Sequence, residues 1–197
     1  MKKIILCMFS GGLDSTGMLY KLLTAPEYQD YSIHAHHVIL KNSENRDAAE
    51  SLAVKVILTK FARLGLKLTY SESAIDVRFL KFTIPDVITF AFIAGNICAA
   101  KNIEHVAVGR VKEDLNNRFL LRSQRGQEVF NAVKNGRTGT YFRPLENFSK
   151  KEIWNFLPAS IRKLVWWCRR PIYDNNGNPN ACGYCKSCQQ MKKVVKK

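Results

Sequence analysis

Several features of common protein classes are missing from this sequence of 197 residues. No apolar run approaches the roughly 18 residues that a membrane-spanning helix needs, which excludes a spanning protein. No internal repeat or low-complexity stretch occurs, and 46% hydrophobic residues are too many for a disordered chain. The apolar segment Ile4–Phe9 is too short for a secretion signal and leads straight into Gly11-Gly12. We therefore expect a globular protein in the cytoplasm with no membrane partner.

Acidic residues are scarce: the sequence has 16 Asp and Glu but 31 Lys and Arg, which gives a net charge of +15. From Lys150 to Lys197 there are 11 basic and two acidic residues, so a charge of +9 lies in the last quarter of the chain. Such a field attracts polyanions, among them RNA, DNA and phosphorylated ligands. Two alternatives stay open, a nucleic-acid contact through this basic tail and a solvated tail that aids solubility.

The apolar periodicity alternates between strands and helices from the first residues onward, which predicts an α/β fold with a doubly wound parallel sheet. Residues 1–163 form the expected nucleotide-binding domain, and residues 164–197 form a small C-terminal tail packed on it. A capping box at Ser149–Glu152 predicts a short helix that Pro158 ends. The predicted strands are Lys3–Phe9, Tyr31–Leu40, Leu66–Tyr70 and Glu104–Gly109, and the predicted helices are Asp14–Leu23, Arg46–Leu64, one that begins at Pro85, and Phe119–Lys134.

The junction between the first strand and the first helix carries a candidate phosphate-binding loop. It has neither the G-x-x-x-x-G-K-[ST] nor the G-x-G-x-x-G pattern of two familiar nucleotide loops. Gly11 and Gly12 instead let the backbone turn tightly and bring its N–H groups to an anion, which the helix N-terminus also attracts. A carboxylate in this position, Asp14, requires a bridging cation such as Mg²⁺. The candidate binding residues are Ser10, Gly11, Gly12, Leu13, Asp14, Ser15 and Thr16.

Most of the cysteines are clustered near the C-terminus, where a chain without a secretion signal favours a metal over disulfides. Four thiolates suit one structural Zn²⁺ in tetrahedral coordination. An iron–sulfur cluster is the alternative, since C-x2-C-x2-C also occurs in ferredoxin-like sequences. Cys7 and Cys98 lie in apolar segments and are expected in the core. The candidate metal ligands are Cys168, Cys182, Cys185 and Cys188.

Two other sets of polar residues have simpler interpretations. His34, His36 and His37 lack a matching acidic or histidine cluster nearby, so we do not expect a metal site there. Arg46 and Glu50 stand one helical turn apart, which predicts a surface ion pair.

The segment Ser10-Gly-Gly-Leu-Asp-Ser15 resembles the signature of the PP-loop ATP pyrophosphatases. The resemblance implies an adenine nucleotide alpha hydrolase-like, Rossmann-like fold that binds ATP with Mg²⁺. It also implies cleavage between the α and β phosphates and adenylation of a carbonyl or carboxylate oxygen. By this resemblance the catalytic residues are Ser10, Asp14 and Ser15, and further ATP contacts come from His37 and Val38 in the second strand and from Gly109 and Arg110 after the fourth.

Combined with the four C-terminal cysteines, the loop resembles the 7-cyano-7-deazaguanine synthases of queuosine biosynthesis. Val108–Asp114, Arg143–Leu145 and Ser149–Ile153 fall where that family has similar segments. The sequence departs from the family at Asp86–Phe90 and at Leu115–Phe119, where the family has a stretch that helps define the deazaguanine pocket. The resemblance implies that ATP and zinc carry over better than the substrate does.

Three hypotheses about function remain open. The first is a ligase that forms carbon–nitrogen bonds from a carboxylated deazapurine, ATP and ammonia. The second is a PP-loop enzyme that modifies a tRNA or DNA base directly. The third is a non-catalytic zinc-knuckle protein that binds nucleic acid. The sequence leaves the oligomeric state open between a monomer and a homodimer.

Overall fold

A computed structural model gives the structure of the chain and describes residues 2–80, 84–114, 117–134 and 140–195. The strands are β1 (Lys3–Met8), β2 (Tyr31–Lys41), β3 (Thr69–Asp76), β4 (His105–Ala107), β5 (Thr140–Phe142), β6 (Ile172–Tyr173) and β7 (Pro179–Asn180). The helices are α1 (Leu13–Thr24), α2 (Asp47–Arg63), α3 (Asp86–Lys101), α4 (Asn117–Val133), α5 (Lys150–Phe156), α6 (Ala159–Arg162) and α7 (Lys186–Val195).

The first five strands form one parallel sheet in the order β3-β2-β1-β4-β5. The chain moves outward from β1 to β3 and then crosses back to place β4 on the other side of β1. In such sheets ligands bind beyond the carboxyl ends of the strands where the order reverses. The predicted doubly wound α/β fold is thus confirmed, and its switch point lies between β1 and β4.

Both faces of β1 are buried, which explains its uninterrupted apolar sequence. Ile5 and Cys7 belong to a core cluster shared with α1, α2 and α5. Leu6 and Met8 point to the opposite face, where a second cluster includes residues of α3 and α4. The helices therefore cover the sheet from two sides, and β1 forms the centre of the molecule.

The prediction of the third strand at Leu66–Tyr70 is wrong, because β3 runs from Thr69 to Asp76 and pairs with β2 along that whole length. Leu66 and Leu68 attracted the prediction because they are apolar, but they precede the strand and pack against the core. The β3 strand itself alternates polar and small residues, as an edge strand exposed to solvent can.

Several elements of the structure were not predicted. These are β5, which has only three residues and forms the other edge of the sheet, the one-turn helix α6, and the elements of the tail. The hairpin β6–β7 and helix α7 lie in the tail, and Met191 of α7 joins the main core cluster. The division of the chain at residues 163 and 164 stays a prediction. Among the helices described, none is both long and apolar enough to cross a membrane.

Candidate functional site

The loop that joins β1 to α1 is shaped by two glycines. Gly11 has a φ of +73°, and a Cβ there would lie 3.1 Å from both the Ala53 Cβ and the Val54 nitrogen of α2. A side chain at this position would be strained and would collide with backbone. Gly12 is the N-cap residue of α1, and no side chain among the described residues caps this helix. The first N–H groups of α1 are therefore left for an anionic ligand.

Hydroxyl groups close the loop on itself. Ser15 Oγ accepts a hydrogen bond from the Ser10 nitrogen at 3.2 Å and donates to the Gly12 oxygen at 3.2 Å. The two serine hydroxyls lie 3.1 Å apart. Leu13 opens α1, and its side chain is buried beneath the loop. These contacts hold the start of α1 in a fixed position before any ligand binds.

Asp14 in the first turn of α1 forms an ion pair with Lys150 through its Oδ2 atom. Its other oxygen, Oδ1, is buried and has no hydrogen-bond partner among the residues that the structure describes. A buried carboxylate oxygen without a partner is costly unless a ligand satisfies it. This arrangement fits the expected Mg²⁺, which favours carboxylate oxygen together with phosphate oxygens.

Lys150 is a functional candidate that sequence reasoning missed. It is the first residue of α5, and the capping box predicted at Ser149 and Glu152 is present and fixes this helix start. Its backbone nitrogen donates to Glu113 Oε1 at 2.9 Å. Burial lowers the pKa of Lys150, but the carboxylates of Asp14, Asp114 and Glu113 outweigh it and raise the pKa above its ordinary value. Lys150 is therefore a fixed cation beside the loop.

A cavity of about 340 Å³ opens at the carboxyl ends of the strands, and Asp14 and Lys150 both line its wall. Pockets for small ligands commonly begin near this size. Gly11 and Thr16 lie off the wall of this cavity, and the expectation that they contact the ligand stays a prediction. The predicted residues that line the cavity are Ser10, Gly12, Leu13, Asp14, Ser15, His37, Val38 and Gly109.

Gly109 follows β4 and brings its loop close to the start of α1. A Cβ at this position would lie 3.4 Å from the Asp14 carbonyl carbon and the Ser15 nitrogen. The loops after β1 and β4 therefore touch, as the switch point of the sheet requires.

A second cavity, of about 370 Å³, adjoins the first and contains Arg110 in its wall. Arg110 contacts Glu146 Oε1 at 3.2 Å and Ser123 Oγ at 3.4 Å, and its buried Nε atom has no hydrogen-bond partner among the described residues. Arg122 and Arg169 also line this cavity. The segment Leu115–Phe119, singled out above as a departure from the family, lies in part outside the described residues. The two cavities share Asp86, Val87, Val108, Gly109, Tyr141 and Arg169.

The predicted ion pair between Arg46 and Glu50 is present, but its predicted position on the surface is wrong, because both residues are buried. Arg46 contacts Glu50, Asp86 and Glu44, the last at 2.7 Å. Burial and Asp86 raise the pKa of Glu50 to about 7, although Arg46 acts in the opposite direction. The three carboxylates engage the Arg46 guanidinium, and this charged cluster forms one side of the first cavity.

The histidines of β2 are fixed by hydrogen bonds through their ring nitrogens. His34 bonds to Thr69 and Ser71 through its two ring nitrogens, each at 2.7 Å. His36 likewise bonds to Ser71 at 2.8 Å and to a second serine. The ring nitrogens of His37 contact the Phe9 oxygen and a serine hydroxyl. Each imidazole is therefore held in place by hydroxyl or carbonyl partners, and the predicted contact of His37 with ATP stays a prediction.

The four C-terminal cysteines converge on one point. The sulfur atoms of Cys168, Cys182, Cys185 and Cys188 all lie within 4.8 Å of one another, and Gly183 turns the chain between them with a φ of +78°. Around one ion with metal–sulfur bonds of about 2.3 Å, tetrahedral sulfurs stand about 3.8 Å apart. A four-iron cluster places each thiolate on its own iron and holds the sulfurs further apart. The observed spacing fits a single ion.

Backbone N–H groups surround these sulfur atoms. Cys182 and Arg170 donate to Cys168 Sγ at 3.3 and 3.4 Å, and Cys185 donates to Cys182 Sγ at 3.4 Å. Burial raises the pKa of Cys185, but N–H groups of Arg169 and Cys188 outweigh it and bring the pKa to about 6. The pKa of Cys182 is lowered in the same way, whereas burial raises the pKa of Cys168 and of Cys188. The surroundings therefore stabilise the thiolate, the form that binds metals, at Cys182 and Cys185.

Comparisons with known proteins agree with this site. The family profile described as a PP-loop domain matches residues 1–168. The 7-cyano-7-deazaguanine synthase of Campylobacter jejuni is 25% identical over 214 aligned positions, which cover 95% of this chain and 91% of that enzyme. The U34-tRNA thiolase NcsA from Methanococcus maripaludis, solved with its [4Fe-4S] cluster, superposes with a TM-score of 0.59 at 14% identity. That match covers 96% of this chain and 62% of the thiolase, and it establishes similarity of fold alone.

Proposed function

We propose a function from a premise that the family profile shows, namely that this chain belongs to the PP-loop ATP pyrophosphatases. The proposed function is that of an ATP-dependent synthetase, which adenylates a carboxylate and adds ammonia. The reaction that we favour converts 7-carboxy-7-deazaguanine to 7-cyano-7-deazaguanine. The observation that carries the proposal is the pairing of Asp14 with Lys150 beside an uncapped helix start, next to a second cavity lined by arginines.

In this proposal the loop stabilises the charge that develops as pyrophosphate leaves. The N–H groups at the start of α1 and the hydroxyls of Ser10 and Ser15 are held in place before reaction, so they need little reorganisation. Lys150 contributes a positive charge at the same wall. Mg²⁺ would be held by Asp14 through its unpartnered oxygen and would neutralise phosphate charge.

The chemistry proceeds through two activations of the same carbon. The substrate carboxylate attacks the α-phosphorus of ATP, and the bond to pyrophosphate breaks. Ammonia then attacks the acyl carbon, AMP leaves, and one proton is released with the amide. The amide oxygen then attacks the α-phosphorus of a second ATP, and pyrophosphate leaves. The departure of AMP with that oxygen, together with the loss of the two amide protons, leaves the nitrile. Ammonia is the nucleophile, so no nucleophilic side chain is required.

The second cavity is the proposed site of the carboxylate. Arginine presents planar donors that match a carboxylate, and the buried Nε atom of Arg110 has a free donor among the described contacts. The deazaguanine itself is supported by the similarity to the Campylobacter jejuni enzyme over nearly the whole chain.

We also propose that the ion at the four cysteines is Zn²⁺. A closed set of four thiolates is typical of structural zinc. The separation of the sulfurs, within 4.8 Å, supports a single ion over an iron–sulfur cluster. In this proposal the ion stabilises the tail and takes no part in the reaction.

A PP-loop enzyme that acts on a tRNA or DNA base is the second candidate, and the charge distribution favours it. Arg170, Lys192 and Lys193 are exposed, and they belong to the last quarter of the chain, Lys150 to Lys197, which has a net charge of +9. Lys196 and Lys197 contribute to that charge but lie outside the described residues. We propose that this tail contacts a nucleic acid if the second candidate is correct.

The test is to incubate the protein with ATP, Mg²⁺, ammonium and 7-carboxy-7-deazaguanine and to identify products by mass spectrometry. We expect AMP, pyrophosphate and a product with the mass of the nitrile. Omission of either ammonium or the deazaguanine should remove that product, and Asp14→Asn should remove all AMP formation. ATP cleavage that requires tRNA or DNA instead would transfer support to the second candidate.

A further inference from the structure

A short segment of the tail is bonded to both the phosphate-binding loop and the cysteine cluster. The Trp166 nitrogen donates to the Gly11 oxygen at 2.9 Å. The indole nitrogen of the same residue donates to the Cys168 oxygen at 2.8 Å. Cys168 is one of the four cluster thiols. A single residue thus connects the turn of the loop to a metal ligand.

The next residues of this segment attach it to the entrances of α2 and α3. Arg169 donates to both carboxylate oxygens of Glu44 at 2.8 Å and to Asp86 at 3.0 Å. The Tyr173 hydroxyl donates to the Asn45 oxygen at 2.8 Å. The segment therefore spans the cavity from the loop to the charged cluster around Arg46.

The same part of the chain forms one wall of the first cavity. Trp166, Trp167, Cys168 and Arg169 line it, together with residues of α7. Two cluster cysteines, Cys168 and Cys188, are buried, and Trp166, Trp167 and Met191 pack beside them against the main core. An ion shared by four thiolates would add a further constraint, because it joins Cys168 of this wall to the three cysteines at or just before the start of α7.

We propose that metal occupancy of the cysteine cluster controls nucleotide binding, because the ion holds the Trp166–Arg169 wall against the phosphate-binding loop. Arg169 is the positioning residue that fixes this wall to Glu44 and Asp86. Loss of the ion releases the wall and opens the cavity, while the parallel sheet stays folded. The inference goes beyond the proposed reaction and requires only an ion among the thiolates, whatever the acceptor substrate is.

The test measures binding of a non-hydrolysable ATP analogue by calorimetry, on metal-loaded protein and on protein after chelation. Circular dichroism follows the fold, and metal content is assayed in each sample. We expect chelation to weaken analogue binding by about tenfold or more with little loss of helical signal. Equal affinity of the loaded and the metal-free protein overturns the proposal.

A pair of variants separates this effect from unfolding. Arg169→Met keeps the four cysteines but removes the contacts to Glu44 and Asp86. Arg170→Met removes the same charge from an exposed neighbour and is the matched control. We expect full metal content in both, analogue binding weakened about threefold to tenfold in Arg169→Met, and near-normal binding in Arg170→Met. Identical affinities in the two variants would contradict a positioning role for Arg169.

Discussion

The close packing of Gly17 in α1 against Ile153 in α5 predicts that Gly17→Ala destabilises the protein. Replacement of a helical glycine by alanine ordinarily stabilises a helix by about 1 kcal/mol. Here the new Cβ would lie well under 3.0 Å from Ile153 Cγ2, whereas carbon contacts are normally about 3.5–4.0 Å. Ile153 is fully buried and cannot turn outward. Overpacking costs typically about 1–3 kcal/mol, and a contact this short belongs in the upper half of that range, about 2–3 kcal/mol. After the helical gain of about 1 kcal/mol is subtracted, we expect a net loss of about 1–2 kcal/mol.

This change also has a consequence for the site. Lys150 is the first residue of α5 and pairs with Asp14 on α1. If the new alanine side chain pushes α5 away from α1, the ammonium group of Lys150 moves away from Asp14. We therefore expect Gly17→Ala to reduce ATP cleavage as well as stability. The free-energy loss corresponds to a fall in Tm of about 2–8 °C for a chain of this length. Thermal unfolding by circular dichroism and AMP formation measure the two effects.

The control is Ile153→Leu, which moves the branch of the side chain away from Cβ and removes the methyl group that the introduced alanine side chain would meet. Combined with Gly17→Ala, it should recover part of the lost stability, so the two substitutions should be non-additive. An unchanged or raised Tm in Gly17→Ala alone would refute the reasoning, since it would show that α5 moves away without cost.

Three further predictions test the site, the metal and the pH response. Asp14→Asn should abolish Mg²⁺-dependent ATP cleavage, measured as pyrophosphate release, while Asp30→Asn at an exposed position should keep it. Removal of the metal with a chelator should lower the Tm, and an unchanged Tm would argue against a structural ion. Burial, together with the neighbouring His34 and His37, lowers the pKa of His36 from its ordinary 6.5 to about 4. Between these pH values the unfolded chain binds a proton at His36 that the folded chain does not, so stability should fall as the pH drops from 6.5 towards 4. At equal metal content, the urea midpoint of His36→Gln should fall less steeply over this range than that of the unmodified protein, and equal slopes would contradict the prediction.

The fold and the phosphate-binding loop could be predicted because their signals are local. The buried strand β1 is a continuous apolar run, and the glycine turn and helix start follow it directly in sequence. The edge strands were harder, since β3 depends on pairing with β2 more than on its own apolar pattern. For the same reason β5, with three residues, left no periodic signal.

The charged parts of the site could not be predicted because their partners are distant in sequence. Lys150 meets Asp14 across 136 positions, and Arg169 meets Glu44 across 125. Two charged residues four positions apart in a helix, such as Arg46 and Glu50, can form an ion pair on the surface or belong to a buried cluster of charges. What decides between them is the approach of Asp86, at the start of α3, and of Arg169, in the tail, to the start of α2.

The placement of the six thiols gives the protein an internal chemical reporter. Cys7 and Cys98 are fully buried in the sheet core, and burial raises the pKa of Cys98 to about 11, so alkylating reagents reach these two only when the core opens. The other four gather at one candidate metal site, and our proposal that loss of an ion releases the Trp166–Arg169 wall predicts that all four then become accessible. Four modified thiols per chain would therefore signify a metal-free but folded molecule, and six would signify a denatured one.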